Sequence, residues 1–378
     1  MAIVKVLLVL SDSFPSQQAL WEEVAQRDVD LHVAYTLYIP RSTAIGAPKF
    51  GTHHQLNCTR IRGDRYTWMA YRGLHRLIDD LQPDLIHVLN EPWSVVALQA
   101  IRARTGHVVT HGCENLWDQG SHLEAKIRRR VTRRVLSHSS GFVSWNGAGV
   151  AWAKRRGLPP TSPTLVLSAV LPHLEHFRHP EQRRTVGREG WGFDHEFVVG
   201  YVGRLVAEKG LNWLLESWNA ANLPDRARLV FIGQGLMEGT IRDAAVGDPR
   251  IRLIGPVPLD QIPTVMASLD ALVLPSLTTR DWCEQYGRVI TEAMASGVPV
   301  IASNSGAIPE VVGDAGIIVG EGSTVEFAAA LRRVSQDSAY HRSLSEAGLA
   351  RAQTAFSPAN GAARLHAFWE TVVKRSEM

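Results

Sequence analysis

Short apolar runs alternate along this chain with segments whose apolar positions recur every three or four residues, the pattern of a parallel sheet covered by helices on both faces. In the first half, Val4 to Leu10, Asp30 to Tyr35, Leu85 to Leu89, Val108 to Gly112 and Gly141 to Trp145 read as buried strands. Ser16 to Arg27, Tyr66 to Gln82 and Lys126 to His138 read as helices between them. The second half repeats the alternation, with strands at Phe197 to Gly203, Arg228 to Gly235, Ile251 to Val257, Leu269 to Leu274, Val298 to Ala302 and Gly316 to Val319. Its helices are Asn212 to Ala221, a segment with Val289, Ile290, Ala293 and Met294 on one face and Gly297 as its stop, Thr324 to Gln336, Tyr340 to Ala355 and Asn360 to Lys374. The fold class is α/β, with ligand sites in loops after strand ends.

A chain of 378 residues is long for one core and suits two domains. Between Gly157 and Gly192 the composition shifts toward proline, histidine and charge, with Pro159, Pro160, Pro163, Pro172 and Pro180. The connection between domains is placed there, near 170–190, giving a first domain over 1–175 and a second over 185–357. A net charge of +3 is too small to imply nucleic acid. Cys58, Cys113 and Cys283 are odd in number and far apart, which argues against a disulfide framework or zinc site and for a reducing compartment. Ile3 to Leu10 runs at once into Ser11-Asp12-Ser13, so it reads as a first strand and not as a leader, and no stretch is long enough to cross a bilayer. The protein is therefore expected to be cytoplasmic. Lys126 to His138 is the most basic segment: Ile127, Val131 and Val135 recur every fourth residue among Lys126, Arg129, Arg130, Arg133 and Arg134. Such a segment can make peripheral contact with an anionic membrane face, but its narrow apolar stripe without Trp or Phe favours a packed helix with a solvated cationic surface.

The stretch from Glu284 to Glu310 carries the most specific chemistry. Glu284 precedes its helix in a loop opened by Gly287, and Glu292 lies on the second turn, beside the orphan N–H groups of a helix start. The loop after the following strand ends in Pro309-Glu310. Two carboxylates around an anion site suit a mixed ligand, with phosphates for the amides and hydroxyls for the carboxylates. Glu284, Tyr286-Gly287, Glu292-Ala293-Met294-Ala295 and Gly297 to Ser303 resemble the E-x7-E signature of the retaining, GT-B-fold glycosyltransferases of family 4. A second string, Gly203-Arg204 to Lys209-Gly210, resembles the family's G-R-x-x-x-x-K-G loop, whose Arg and Lys hold the donor diphosphate. Arg presents a planar fork to phosphate oxygens and Lys a point charge, as a departing diphosphate requires.

The resemblance implies two Rossmann-like domains facing each other across a cleft, with the tail 358–378 returning to the first, acceptor-binding domain. It assigns the donor to Gly203, Arg204, Lys209, Gly233, Glu284, Tyr286, Gly287, Arg288, Val289 and Glu292, with Glu284 on the sugar and Glu292 on the ribose. It also places His111, in Val108-Val109-Thr110-His111-Gly112, opposite the donor sugar and phosphate, so that His111, Glu284, Arg204 and Lys209 form the catalytic set. Asn115 and Trp117 follow in the same loop. Glu91 could orient an acceptor hydroxyl or be a satisfied loop carboxylate. The chain departs from the family at Ser11 to Ser16, which has no glycine where a glycine-rich phosphate loop is expected.

The activity so implied is metal-independent, retaining transfer of a sugar from a UDP- or GDP-sugar to a hydroxyl acceptor, giving an α-glycoside from an α-linked donor. Neither a metal nor a cofactor is expected, and nucleic acid is not a partner. With no evident protein nucleophile, the acceptor attacks the face the diphosphate leaves, and the leaving phosphate takes the acceptor proton. The alternatives are an epimerase of nucleotide sugars, or a nucleotide-binding scaffold subunit of the same fold without catalysis. An oxidoreductase would want G-x-G-x-x-G after the first strand, which Ser11 to Ser16 does not supply.

Overall fold

The computed structural model describes residues 3–10, 17–36, 48–61, 66–103, 106–113, 123–167, 174–177 and 180–375; Ser11 to Ser16, Asn115 and Trp117 lie outside them. The chain divides into two compact units, Met1–Pro172 with Pro358–Met378, and His173–Ser357.

The first unit contains β1 (Val4–Leu10), α1 (Gln18–Ala25), β2 (Val29–Tyr35), β3 (Thr52–Gln55), β4 (Cys58–Arg60), β5 (Met69–Tyr71), α2 (Leu74–Leu81), β6 (Leu85–Leu89), α3 (Val95–Ala100), β7 (His107–Gly112), α4 (Leu123–Ser137), β8 (Gly141–Ser144), α5 (Gly147–Arg155) and β9 (Thr164–Val166). Its main sheet runs β3-β2-β1-β6-β7-β8-β9 with every neighbour parallel. Strand order reverses between β1 and β6, and loops leaving two such strands diverge and open a crevice at their carboxyl ends. The chain's last helix, Pro358–Lys374, belongs to this unit. It buries Leu365, Phe368, Trp369 and Val372 beside Trp21 and Val24 of α1, and Trp369 stacks on Trp21 with ring centres 6.5 Å apart. Burying side chains of this size contributes about 1.5–3 kcal/mol each.

Two readings of this unit are corrected. Residues 66–82 are not one helix but a 3-10 turn at Tyr66–Trp68, then β5 antiparallel to β4, then α2. Met69 and Tyr71 are both buried, the two-residue period of a strand, and Gly73, at φ +82°, stands where a continuous helix would have to pass. In α4 the buried residues are Thr132, Val135 and Leu136, while Ile127 faces solvent with Leu123. Of the stripe Ile127, Val131 and Val135, the last two pack into the core and the first does not.

The second unit contains α6 (Pro180–Trp191), β10 (Phe197–Val202), α7 (Leu211–Ala221), β11 (Ala227–Ile232), α8 (Glu238–Gly247), β12 (Ile251–Gly255), α9 (Ile262–Ala267), β13 (Ala271–Leu274), α10 (Arg288–Ala295), β14 (Val300–Ser303), α11 (Ile308–Val312), β15 (Ile317–Val319), α12 (Thr324–Gln336) and α13 (Ser338–Ala355); the last helix of the chain is α14. The sheet order is β12-β11-β10-β13-β14-β15, again all parallel, reversing between β10 and β13. Pro309 and Glu310, expected in a loop, lie in α11, where proline fits the first turn because its missing N–H has no helical partner there. Helix α6 falls inside the segment read as a connection. Arg184 and Arg188 both bind the Asp270 carboxylate, which also accepts from the N–H of Val198 at 2.7 Å, so α6 is tied to the starts of β10 and β13.

Candidate functional site

In the second unit the loops after β10 and β13, the two strands at the reversal, carry Lys209 and Glu284 and bring them together. Lys209 Nζ lies 2.5 Å from Glu284 Oε2, which also accepts from the Ser276 hydroxyl at 2.8 Å. The pair is largely buried, with side-chain exposures of 13% for Lys209 and 9% for Glu284. The ammonium also lies 4.7 Å from the ring centre of Trp282. The two loops are fastened by backbone: Leu277 N–H donates to the carbonyl of Glu208 at 2.9 Å. A Cβ on Gly210, at φ +69°, would lie 1.9 Å from the Pro275 carbonyl. Only glycine lets the Arg204 to Gly210 loop approach this closely.

Arg204 is arranged differently. Its side chain is 64% exposed and 3.7 Å from Glu208, and its carbonyl accepts from the Tyr201 hydroxyl at 2.7 Å. Its guanidinium stands in solvent, outside the hydrogen bonds that join Lys209, Ser276 and Glu284. Gly203 and Gly233 form the floor of the loops: a Cβ on Gly233 would lie 1.9 Å from the Gly203 carbonyl. Gly287 starts α10 at φ +78°. Tyr286 is buried, and burial pushes its phenol far above the ordinary value. Arg288 is exposed and Val289 half-buried. Glu292 is half-buried one turn beyond Arg288, and its hydrogen bonds run through its backbone carbonyl, which accepts from the Ser296 hydroxyl at 3.1 Å. Burial raises its pKa, and the Arg288 charge opposes the shift.

In the first unit His111 ends up buried on β7, next to β6. Neither ring nitrogen has a hydrogen-bond partner among the described residues, and burial lowers its pKa to about 3. It stacks on His87, ring centres 5.6 Å apart at 10°, and meets the edge of Trp145 at 6.2 Å. His87 Nδ1 accepts from the Trp369 indole at 3.3 Å, so the neutral His87 ring carries its proton on Nε2. Glu91 Oε1 accepts from the N–H of Cys113 at 3.0 Å, which makes it a loop carboxylate holding the end of β7. Sequence reasoning missed Ser276, Trp282 and His87. His87 was visible as the polar residue in the apolar strand Leu85-Ile86-His87-Val88-Leu89; Trp282 and Ser276 carry no local signal and are recognised only by what they touch.

Comparison with known proteins adds the following. A family of glycosyl transferases, described as group 1, matches residues 196–337, and a glycosyl transferase 4-like domain matches residues 16–168. The 2-deoxystreptamine glucosyltransferase of Streptomyces kanamyceticus is 30% identical over 271 residues, 67% of this chain and 68% of that protein. The D-inositol 3-phosphate glycosyltransferase of Corynebacterium kroppenstedtii is 29% identical over 197 residues, covering 48% of this chain and 42% of that one. Among solved structures, Anabaena Alr3699/HepE in complex with UDP superposes with a TM-score of 0.73 at 18% identity, over 98% of this chain and 100% of that one. A glycosyltransferase from Rickettsia africae superposes at 0.75 and 13% identity, over 99% and 100%. At such identities the structural likeness carries the fold, which is GT-B.

Proposed function

Because this chain belongs to the group 1 glycosyl transferases, we propose that it moves a sugar from a nucleotide diphosphate sugar to a hydroxyl acceptor, with retention and without a divalent cation. The observation that carries this reading is the buried Lys209–Glu284 pair at the strand reversal of the second unit. An ammonium held by one carboxylate and one aromatic face is poised to exchange that carboxylate for a diphosphate, whose charge is larger and grows as the sugar departs. Glu284, relieved of Lys209, then accepts hydrogen bonds from sugar hydroxyls. Arg204 reaches the diphosphate from solvent, and the first-turn N–H groups of α10 complete the anion site.

In the reaction the bond from the anomeric carbon to the phosphate oxygen breaks and a bond to the acceptor oxygen forms on the same face. The acceptor proton passes to the departing phosphate. An α-linked donor thus gives an α-glycoside. Lys209 and Arg204 supply the positive charge that a bridging cation would otherwise provide. Glu292, half-buried and unpaired, suits the ribose hydroxyls, and the backbone at Gly203 and Gly233 suits a flat base or ribose. No described helix is long and apolar enough to cross a membrane; the proposed setting is the cytoplasm, with α4 touching the anionic face of a membrane.

The test is transfer from a panel of UDP- and GDP-sugars in EDTA, with the product anomer read by proton NMR. The expected result is an α-linked product formed at the same rate with and without chelator. Loss of transfer in EDTA with recovery on magnesium or manganese would contradict the charge argument, and a β-linked product would contradict retention.

A further inference from the structure

Glu321 follows β15 as a half-buried residue outside the donor set. Its Oε2 accepts from the backbone N–H of Thr278 at 2.5 Å and its Oε1 from the Thr278 hydroxyl at 2.7 Å. Its own N–H donates to Asn304 Oδ1 at 2.9 Å. Asn304 begins the loop after β14 and Thr278 lies in the loop after β13, so one residue joins three loops at the carboxyl edge of the sheet.

An ionised carboxylate only accepts, so the Thr278 hydroxyl proton is committed to Glu321. The 3.0 Å contact between Thr278 Oγ1 and Ser305 Oγ is then donated by Ser305. Ser305 Oγ in turn faces the backbone N–H of Glu284 as its acceptor at 3.5 Å. On the other side of that residue, the Glu284 carbonyl accepts from the N–H of Ala307 at 2.9 Å, and a Cβ on Gly306 would lie 2.0 Å from it. The turn Ser305 to Ala307 therefore grips the Glu284 backbone at both ends, and Thr278 with Glu321 grips the turn.

We propose that Glu321, acting through Thr278 and Ser305, is a positioning residue that fixes the Glu284 carboxylate against Lys209; this rests on reading that pair as part of a sugar-donor site. Thr278 is exposed, and hydrogen bonds at an exposed rim add little to folding. Displacing a group beside the reacting atoms by about 1 Å, in contrast, costs on the order of a hundredfold in rate. Loss of the clamp thus separates from loss of the fold.

The experiment compares the whole chain with Glu321→Ala, Thr278→Val and Thr278→Ser, measuring kcat and donor KM, UDP and GDP affinity by calorimetry, and the thermal midpoint. Glu321→Ala and Thr278→Val should lose roughly tenfold to a hundredfold in kcat, with nucleotide affinity and midpoint near those of the wild type. Thr278→Ser, which keeps the hydroxyl, should transfer normally. Normal kcat in Glu321→Ala or Thr278→Val would overturn the inference, as would a Thr278→Ser variant as impaired as Thr278→Val. Nucleotide affinity falling in step with kcat would also overturn it, by making Glu321 a donor contact. A wild type that transfers from no nucleotide sugar would instead overturn the reading of the site itself.

Discussion

A histidine with both ring nitrogens buried and unpaired among the described residues, as His111 is, stays neutral where enzymes work. It can donate or accept a hydrogen bond but brings no positive charge, so under the proposed function the diphosphate is met by Lys209 and Arg204. His111→Ala should therefore leave nucleotide affinity close to that of the wild type and depress transfer; equal loss of both, or normal transfer, would remove His111 from the mechanism. The same burial has a stability consequence. The unfolded chain protonates this ring near pH 6.5 and the folded one only near 3, so its contribution is complete above 6.5 and is lost as pH falls toward 3. His87 acts in the same direction, its pKa lowered by burial and by His111. Glu292 has the opposite sign. Its folded pKa is raised, so its ionisation costs stability as pH rises above the ordinary carboxylate range. Glu292→Gln should raise the thermal midpoint at pH 7, with the gain vanishing near pH 4, and weaken nucleotide binding roughly tenfold or more, as loss of a charged hydrogen-bond partner does. A midpoint unchanged at pH 7 would contradict this account of the residue.

At the scale of elements, what could be read from the sequence follows from how local each cause is. α10 and β14 were legible because the apolar positions from Val289 to Met294, the glycine stop and the short apolar run are all local signals. The 66–82 segment misled because Tyr71, Leu74, Ile78 and Leu81 recur at helical spacing, and only pairing with β4 makes a strand of Met69 to Tyr71. α3 and α5 were announced by caps that went unread: Ser94 and Asn146 accept from Ala97 N–H at 3.2 Å and Gly149 N–H at 2.7 Å. In α4 a four-residue spacing drifts about 40° per step at 3.6 residues per turn, so Ile127 turns away from the face that buries Val135. That outward face carries Leu123, Ile127, Lys126, Arg130 and Arg134 together. Cosedimentation with phosphatidylglycerol vesicles should accordingly retain the wild type at low salt and release the variant with Arg130 and Arg134 changed to Glu, each nearby charge contributing on the order of 1 kcal/mol. Equal retention of both would leave α4 a solvated helix.

At the scale of the molecule, Lys209 and Glu284 follow the two strands at their unit's reversal, whereas His111 lies on β7, one strand beyond the reversal of its own unit. Strand order reverses between β1 and β6 in one unit and between β10 and β13 in the other, and loops after such strands carry ligands. The glycine-ended strand before Arg204 and the carboxylates around α10 made the second site legible. Trp282, Ser276 and Glu321 were not, because their places depend on contacts between loops after different strands. The most direct measurement is the thermal midpoint of the wild type and of Lys209→Ala during titration with UDP- and GDP-sugars in EDTA. A donor at a hundred times its dissociation constant should stabilise the wild type by ~2.7 kcal/mol, and the same concentration should leave Lys209→Ala unmoved. A wild type that responds to no donor, or a variant that responds equally, would contradict the assignment of the Lys209–Glu284 site to a nucleotide diphosphate sugar.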